Sequence, residues 1–443
     1  MADAPQRLGV VGAGTMGAGI AQLGVLAGMD TLLHDPVPDA LSRGGESIAK
    51  NLAKGAERGR WSTDDADAAK ERLTLCPELA GLASCELVIE AAPERTELKR
   101  ELFAALSGVL EDPAAVIASN TSSIPITALA GGAERPENVV GMHFFNPAPL
   151  MKLVEIIPAA QSSERAVAVT TATGEAMGKR TILAQDGPGF IVNRCGRPFY
   201  TEALRLLQER VATHEQIDRI CRMAGGFRMG PFELMDMVGI DVGFEVAKSF
   251  TELSFGEPRW RPNPIQARMV SAGWFGRKSG RGYYSYENGQ HRTADPEPQD
   301  APSGPANVAE LREAVDGIEF YAVDPLGSLV EVPGERDPAV EARFADLGFH
   351  VEWVGRAPAG VLGRIVAGLV NEACFAIGEG VGSAADIDAG LELGLNHPRG
   401  PLAWGELIGF DAVFAMLNEI WQERREERYR PAPELVRWAR GDG

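Results

Sequence analysis

The chain is poor in cysteine, histidine and positive charge, and each shortage removes a class of function. Five cysteines, Cys76, Cys85, Cys195, Cys221 and Cys374, occur in 443 residues, with no C-x-x-C spacing and an odd total. That predicts reduced thiols in a cytoplasmic setting rather than a disulfide framework. The six histidines include no H-E-x-x-H or other metal-ligand spacing, so no metal is expected. Lys and Arg total 43 against 62 Asp and Glu, a net charge of −19. Nucleic acid and anionic membranes are therefore not expected as partners, whereas a local basic pocket for a small anion remains open. No apolar run reaches the length of a membrane span, and M-A-D-A-P-Q-R leads almost at once into a strand-like run. Neither a transmembrane segment nor a leader peptide is expected. No G-x-S-x-G hydrolase elbow is present.

Against these absences stands residues 8–35, L-G-V-V-G-A-G-T-M-G-A-G-I-A-Q-L-G-V-L-A-G-M-D-T-L-L-H-D. A short apolar run ends in Gly12, Gly14 and Gly17, a helical segment follows, and a second apolar run stops at Asp35. Gly12 permits the tight turn, Gly14 lets the backbone approach a pyrophosphate, and Gly17 lets helix and strand pack closely. Main-chain N–H groups at the helix start, around Thr15 and Met16, then face the phosphates. Asp35 falls at the spacing of a carboxylate that accepts hydrogen bonds from a ribose, and its charge favours NAD over NADP.

Alternation of strand and helix continues to about residue 186, with strand-like runs at 8–11, 31–34, 87–90, 116–118, 139–143 and 153–157. This predicts a Rossmann-type, doubly wound, mostly parallel sheet. The charged stretch 42–70 reads as a helical arm projecting from that sheet. After Asp186-Gly-Pro-Gly the pattern becomes helical to about residue 286. Residues 287–307 are rich in Pro, Gly, Asp and Gln and read as a linker. The segment to 358 is mixed, with strand-like runs at 319–323 and 328–332. The expected division is thus 1–186, 187–286, 287–358 and 359–443. The last part is a second copy of the helical module. Glu202-Ala203 matches Glu372-Ala373, Ile217-Asp218 matches Ile387-Asp388, Gly230-Pro231 matches Gly400-Pro401, and Asp241 matches Asp411, at one constant offset. In a single-copy protein such a module can dimerise with its twin, so either a homodimer or a pseudo-dimeric monomer is expected.

Three further motifs lie near strand ends or at the junction to the helices: A-S-N-T-S-S-I-P-I-T at 118–127, G-M-H-F-F-N-P-A-P-L-M-K-L-V-E at 141–155, and G-P-G-F-I-V-N-R at 187–194. Read alone, a histidine after a strand is usually structural, and Ser122 and Asn193 are equally helix-capping residues. Together and in this order, the motifs resemble the 3-hydroxyacyl-CoA dehydrogenases, including bacterial 3-hydroxybutyryl-CoA and 3-hydroxyadipyl-CoA members. The resemblance covers residues 8–286 and extends to 359–443 through the repeat. It implies reversible, NAD-dependent oxidation of an L-3-hydroxyacyl-CoA to the 3-oxoacyl-CoA. His143 is then the base for the 3-hydroxyl proton, Glu155 its partner on the other ring nitrogen, and Ser122 and Asn193 the groups that hold substrate oxygens. Glu94, Lys99, Asn120, Asn146 and Lys278 match positions near the cofactor, the last across a dimer interface if one forms; taken singly they read as solvated charges or loop amides. Arg58 and Arg60, with Asn51 nearby, are the candidates for the CoA phosphates. The family often has serine and lysine in place of Asn51 and Arg58, and arginine binds phosphate as well as lysine does. The second module has Gly363 opposite Asn193 and no His–Glu pair before it, which reads as structural. Two alternatives are a related dehydrogenase of a free sugar acid, as in the λ-crystallin-like branch, and a nucleotide-binding protein without turnover.

Overall fold

The computed structural model describes residues 3–287, 291–297 and 304–442, and the chain divides into two compact units, Met1–Ile191 and Val192–Gly443. The first is built on an eight-stranded sheet in the order β3-β2-β1-β4-β5-β6-β7-β8. Its strands are β1 (Arg7–Val11), β2 (Asp30–His34), β3 (Leu73–Cys76), β4 (Leu87–Glu90), β5 (Val116–Ser119), β6 (Val139–Phe144), β7 (Leu153–Pro158) and β8 (Arg180–Leu183). All neighbours are parallel except β6 and β7. The helices are α1 (Thr15–Leu26), α2 (Pro38–Glu57), α3 (Thr63–Glu71), α4 (Thr96–Val109), α5 (Ile126–Ala130) and α6 (Glu164–Ala176). The central strands β4, β5 and β6 are buried along their whole length, as near-continuous apolar runs require of a sheet covered on both faces. Edge strands β3 and β8 escape the sequence reading because L-T-L-C and R-T-I-L are short and only half-buried.

The stretch 42–70 is not a projecting arm. Leu41, Ile48 and Leu52 of α2 and Ala66 and Ala69 of α3 belong to the sheet's hydrophobic core. The apolar positions recur on one helical face, while the charges that dominate the composition occupy the other. Gly55 makes the fit possible, since a Cβ there would lie 1.9 Å from the Trp61 ring.

The second unit contains the repeat. Its first copy comprises α7 (Val192–Cys195), α8 (Arg197–Gln208), α9 (His214–Met223), α10 (Pro231–Val238) and α11 (Ile240–Leu253), followed by α12 (Pro264–Ser271). After α13 (Val308–Ala314) come β9 (Leu329–Pro333), α14 (Pro338–Ala345) and β10 (His350–Val354). The second copy follows as α15 (Leu362–Gly378), α16 (Ala384–Gly394), α17 (Pro401–Ile408) and α18 (Phe410–Arg424). Even the left-handed residues correspond: Gly239 with Gly409, Arg210 with Gly380, Gly226 with Asn396, and Phe255 with Arg425. Asp218 accepts the N–H groups of Phe232 and Glu233 at the start of α10, and Asp388 those of Leu402 and Ala403 at the start of α17. The copies pack through α8 and α15 with reciprocal ion pairs: Arg194 Nε to Glu372 at 2.8 Å, and Arg364 Nε to Glu202 at 2.9 Å. Each residue of one pair corresponds to its opposite number in the other, as in a two-fold interface.

Of the two strand-like runs expected near 320, only the second is a strand. Residues 319–323 contribute a single antiparallel bridge, Tyr321 to Glu331. Part of the expected linker lies outside the described residues. His291, Arg292 and Asp295, which are described, bind Glu233 and Arg222 and so fasten the chain against α9 and α10.

Candidate active site

The strand order places the topological switch point between β1 and β4, where α/β sheets bind ligands beyond their carboxyl ends. Gly12 turns there at φ +97°, and a Cβ on it would meet the Ala91 carbonyl oxygen at 2.6 Å. A Cβ on Gly17 would lie 1.7 Å from the Gly12 oxygen, so both positions require glycine. The Cβ position of Gly14, by contrast, faces open space with no atom within 4 Å, leaving its backbone approachable. Gly14 precedes α1, where Thr15 and Met16 begin the helix and its unpaired N–H groups. Asp35, just past β2, accepts the N–H of Ala13 and of Val37, each at 2.9 Å. Its carboxylate is thereby held over the glycine turn. This cradle fits a pyrophosphate on the helix start and a ribose at Asp35, and its chemistry disfavours a 2′-phosphate.

Beyond β4 and β5 lies a buried polar network. Glu90 is fully buried and accepts Lys99 Nζ at 2.7 Å, Ser119 Oγ at 2.6 Å and the Ala92 N–H at 2.6 Å. Lys99 is 1% exposed and also pairs with Glu94 at 3.3 Å. It is therefore not a solvated charge. A buried ammonium needs such partners, and three acceptors supply them. Glu94 Oε1 accepts Thr121 Oγ1, the Ser122 N–H and both N–H and Oγ of Ser123. Although burial opposes the charge, Lys99 and these donors hold the Glu94 carboxyl below its ordinary pKa. The loop carrying Ser122 is thus pinned to Glu94. Asn120, at its start, accepts the Phe144 N–H at 2.9 Å and ties the loop to β6. Ser122 does not cap α5, whose N-cap position is Pro125.

Antiparallel pairing of β6 with β7 sets His143 directly opposite Glu155. Nδ1 of the ring lies 2.6 Å from Glu155 Oε2, and Glu155 Oε1 accepts the Ile191 N–H at 2.9 Å. Glu155 is fully buried and the His143 side chain nearly so. Rings of Phe145 and Phe190 pack at 4.5 and 5.8 Å from the imidazole. With Nδ1 engaged, Nε2 is the nitrogen left to exchange a proton, in the geometry of a general base oriented by a carboxylate.

Asn146 is exposed after β6. Asn51 on α2, with Arg58 and Arg60 just beyond it, is exposed; Lys50 and Lys54 add cations to the same surface at the i, i+4, i+8 spacing that ends on Arg58. Asn193 and Lys278 belong to the second unit. Asn193 sits inside α7 and is not its cap, and Lys278 pairs with Asp241 at 2.6 Å. The sequence reading missed Glu90, Lys50 and Lys54. Helical spacing could have shown the lysines, but nothing in the sequence marks Glu90 as buried.

The chain matches the family description "3-hydroxyacyl-CoA dehydrogenase, NAD binding domain" over residues 7–187, and "3-hydroxyacyl-CoA dehydrogenase, C-terminal domain" over 189–286 and again over 361–440. It is 36% identical to the 3-hydroxyadipyl-CoA dehydrogenase of Escherichia coli, the match covering 96% of each chain. It is 41% identical to a probable 3-hydroxybutyryl-CoA dehydrogenase of Deinococcus radiodurans, over 63% of this chain and all of that one. The crystal structure of an Escherichia coli 3-hydroxybutyryl-CoA dehydrogenase aligns with a TM-score of 0.89 at 35% identity, covering 99% of both chains. With its NAD cradle, its histidine–glutamate pair and both domain types in order, the chain belongs to the 3-hydroxyacyl-CoA dehydrogenase family.

Proposed function

We propose that the chain interconverts (S)-3-hydroxyacyl-CoA and 3-oxoacyl-CoA, with His143 as the proton-transferring group. The observation that carries this reading is the buried 2.6 Å contact between His143 and Glu155 at the directly paired position of β6 and β7. Bound NAD supplies the two-electron acceptor for the hydrogen at C3. His143 takes the hydroxyl proton on Nε2 as the C3–O bond becomes a carbonyl. Glu155 holds the tautomer and stabilises the imidazolium, and its second oxygen is kept in place by Ile191. Ser122 and Asn193 hold the substrate oxygens, polarising the carbonyl in the reverse direction. Asp35 and the glycine turn seat the nucleotide, with Glu94, Lys99, Asn120, Asn146 and Lys278 around it. Asn51, Arg58 and Arg60 face the CoA phosphates.

We further assign the helical repeat to the role of an internal dimer partner, making the chain a pseudo-dimer. The reciprocal Arg194–Glu372 and Arg364–Glu202 pairs support this. The domains divide at residues 186, 286 and 358. A cytoplasmic location agrees with five buried cysteines that form no disulfide. No helix among the described residues is long and apolar enough to cross a membrane.

The test is substrate form. Turnover of NADH with acetoacetyl-CoA, but not with free acetoacetate or a sugar acid, is the expected result. Turnover of the free acids alone would replace this reading with the sugar-acid alternative, and NADH binding without any turnover would replace it with the non-catalytic one.

A further inference from the structure

The second unit holds an apolar pocket of about 100 Å³ whose walls include Leu204, Met235, Ile240 and Val246. Asn193 lines it, as do Arg197 and Arg261, and no Asp or Glu does. Arg197 is 7% exposed. Its guanidinium lies 4.4 Å from the centroid of the Phe250 ring, and its Nε is buried without a hydrogen-bond partner. No ion pair includes it among the described residues, in contrast to the buried Arg194 and Arg364, each bonded to two glutamates. Burial draws the Arg197 pKa down to about 10, which still leaves a cation at neutral pH. A desolvated cation with no ion pair is costly, and the Phe250 ring face offsets only part of that cost. The helix does not require it either. At the matching position of the second copy stands Ala367, and Gly363 matches Asn193, so the two polar groups of this face are missing there together.

We propose that Arg197 receives the terminal carboxylate of the acyl chain, making this a dehydrogenase selective for short dicarboxylic 3-hydroxyacyl-CoA esters. The inference rests on the dehydrogenase reading and on the place of Asn193 beside the substrate oxygens. Asn193 and Arg197 are four residues apart across a helical Gly196 (φ −79°, ψ −11°), so both face one side. Their rise of about 6 Å spans a few methylenes. A guanidinium meets a carboxylate bidentately, and a dry, apolar surround strengthens the contact. Arg261, exposed at the pocket, adds positive potential.

The experiment compares kcat/KM for (S)-3-hydroxyadipyl-CoA and (S)-3-hydroxyhexanoyl-CoA, equal in chain length and differing in the terminal carboxylate. The wild-type protein is expected to prefer the dicarboxylic ester by about a hundredfold, because a site built for a polar group rejects the analogue that lacks it. Arg197→Met is expected to collapse that ratio to near one, and Arg197→Lys to keep part of it. Equal efficiency of the wild type on both esters overturns the proposal, whether or not the variants fold. So does a proportional loss on both esters in Arg197→Met, which would assign the cation to the CoA phosphates shared by the two. Failure of the wild type to turn over either ester would instead sink the dehydrogenase reading, and this inference with it.

Discussion

The two helical copies share a backbone and differ in chemistry. What precedes each copy is also alike. β7 reads Leu153-Val-Glu and β9 reads Leu329-Val-Glu; each is followed by a helix and a parallel strand, β8 and β10 respectively. Glu155 accepts the N–H of Ile191, and Glu331 those of Val361 and Leu362, at corresponding places in the chain. The antiparallel partner of Glu155 is His143, whereas that of Glu331 is Tyr321. So the segment 308–358, mixed in its sequence pattern, carries a shortened counterpart of the β7–α6–β8 unit. The comparison separates two jobs of one carboxylate. Anchoring the chain that enters the helices needs only the glutamate, and both copies do it. Orienting a base needs the histidine as well, and Glu155 faces one whereas Glu331 faces Tyr321.

The strongest way to break this comparison is to treat the two glutamates alike. Glu155→Gln is expected to lower kcat by roughly 10²–10⁴-fold, the range for loss of a working acid–base unit. Glu331→Gln is expected to leave kcat within about twofold, by the same reasoning, while lowering the melting temperature because a buried main-chain N–H loses its acceptor. Steady-state kinetics and thermal unfolding check both, and equal kinetic losses would refute the division of labour. The reciprocal ion pairs come next. Arg194→Ala and Arg364→Ala are each expected to cost about 1–3 kcal/mol in denaturant unfolding, since a buried glutamate loses one charged partner while Arg259 still holds Glu372 and Tyr429 still donates to Glu202. A similar loss in both would express the two-fold relation; a loss in only one would show the copies to be held asymmetrically. For contrast, Arg336→Ala removes an exposed pair with Glu341 and is expected to leave the unfolding midpoint nearly unchanged.

The pH dependence of stability gives the finest distinction. Burial raises the Asp218 pKa to about 7 and raises that of Asp388 as well. A carboxyl whose folded pKa lies above its unfolded value binds more protons when folded. Its contribution is therefore present at low pH and lost as pH rises from about 4 through 7. Asp218→Asn is expected to flatten the fall in melting temperature across that window, and Asp388→Asn to do so less. An unchanged slope in Asp218→Asn would contradict the assignment.

The parts legible in the sequence were those with a period or a motif. The glycine turn with Asp35, the His143–Glu155 spacing and the constant repeat offset each impose a geometry that residue types alone disclose. Cooperative burial was less legible. Lys99 on α4 and Glu90 at the end of β4 lie nine residues apart and satisfy each other only because both are buried, and no local pattern announces that burial. The charged face of α2 hid its apolar stripe, and the Leu-Val-Glu of β9 was too short to stand out until its hydrogen bonds matched those of β7.

The most direct test of the account is single-turnover reduction of acetoacetyl-CoA by NADH in His143→Ala, with NADH affinity measured on the same sample. A loss of about 10³-fold or more in rate at unchanged NADH affinity is the predicted result. A rate within tenfold of the wild type would contradict it, because the proton would then be moved by some group other than His143.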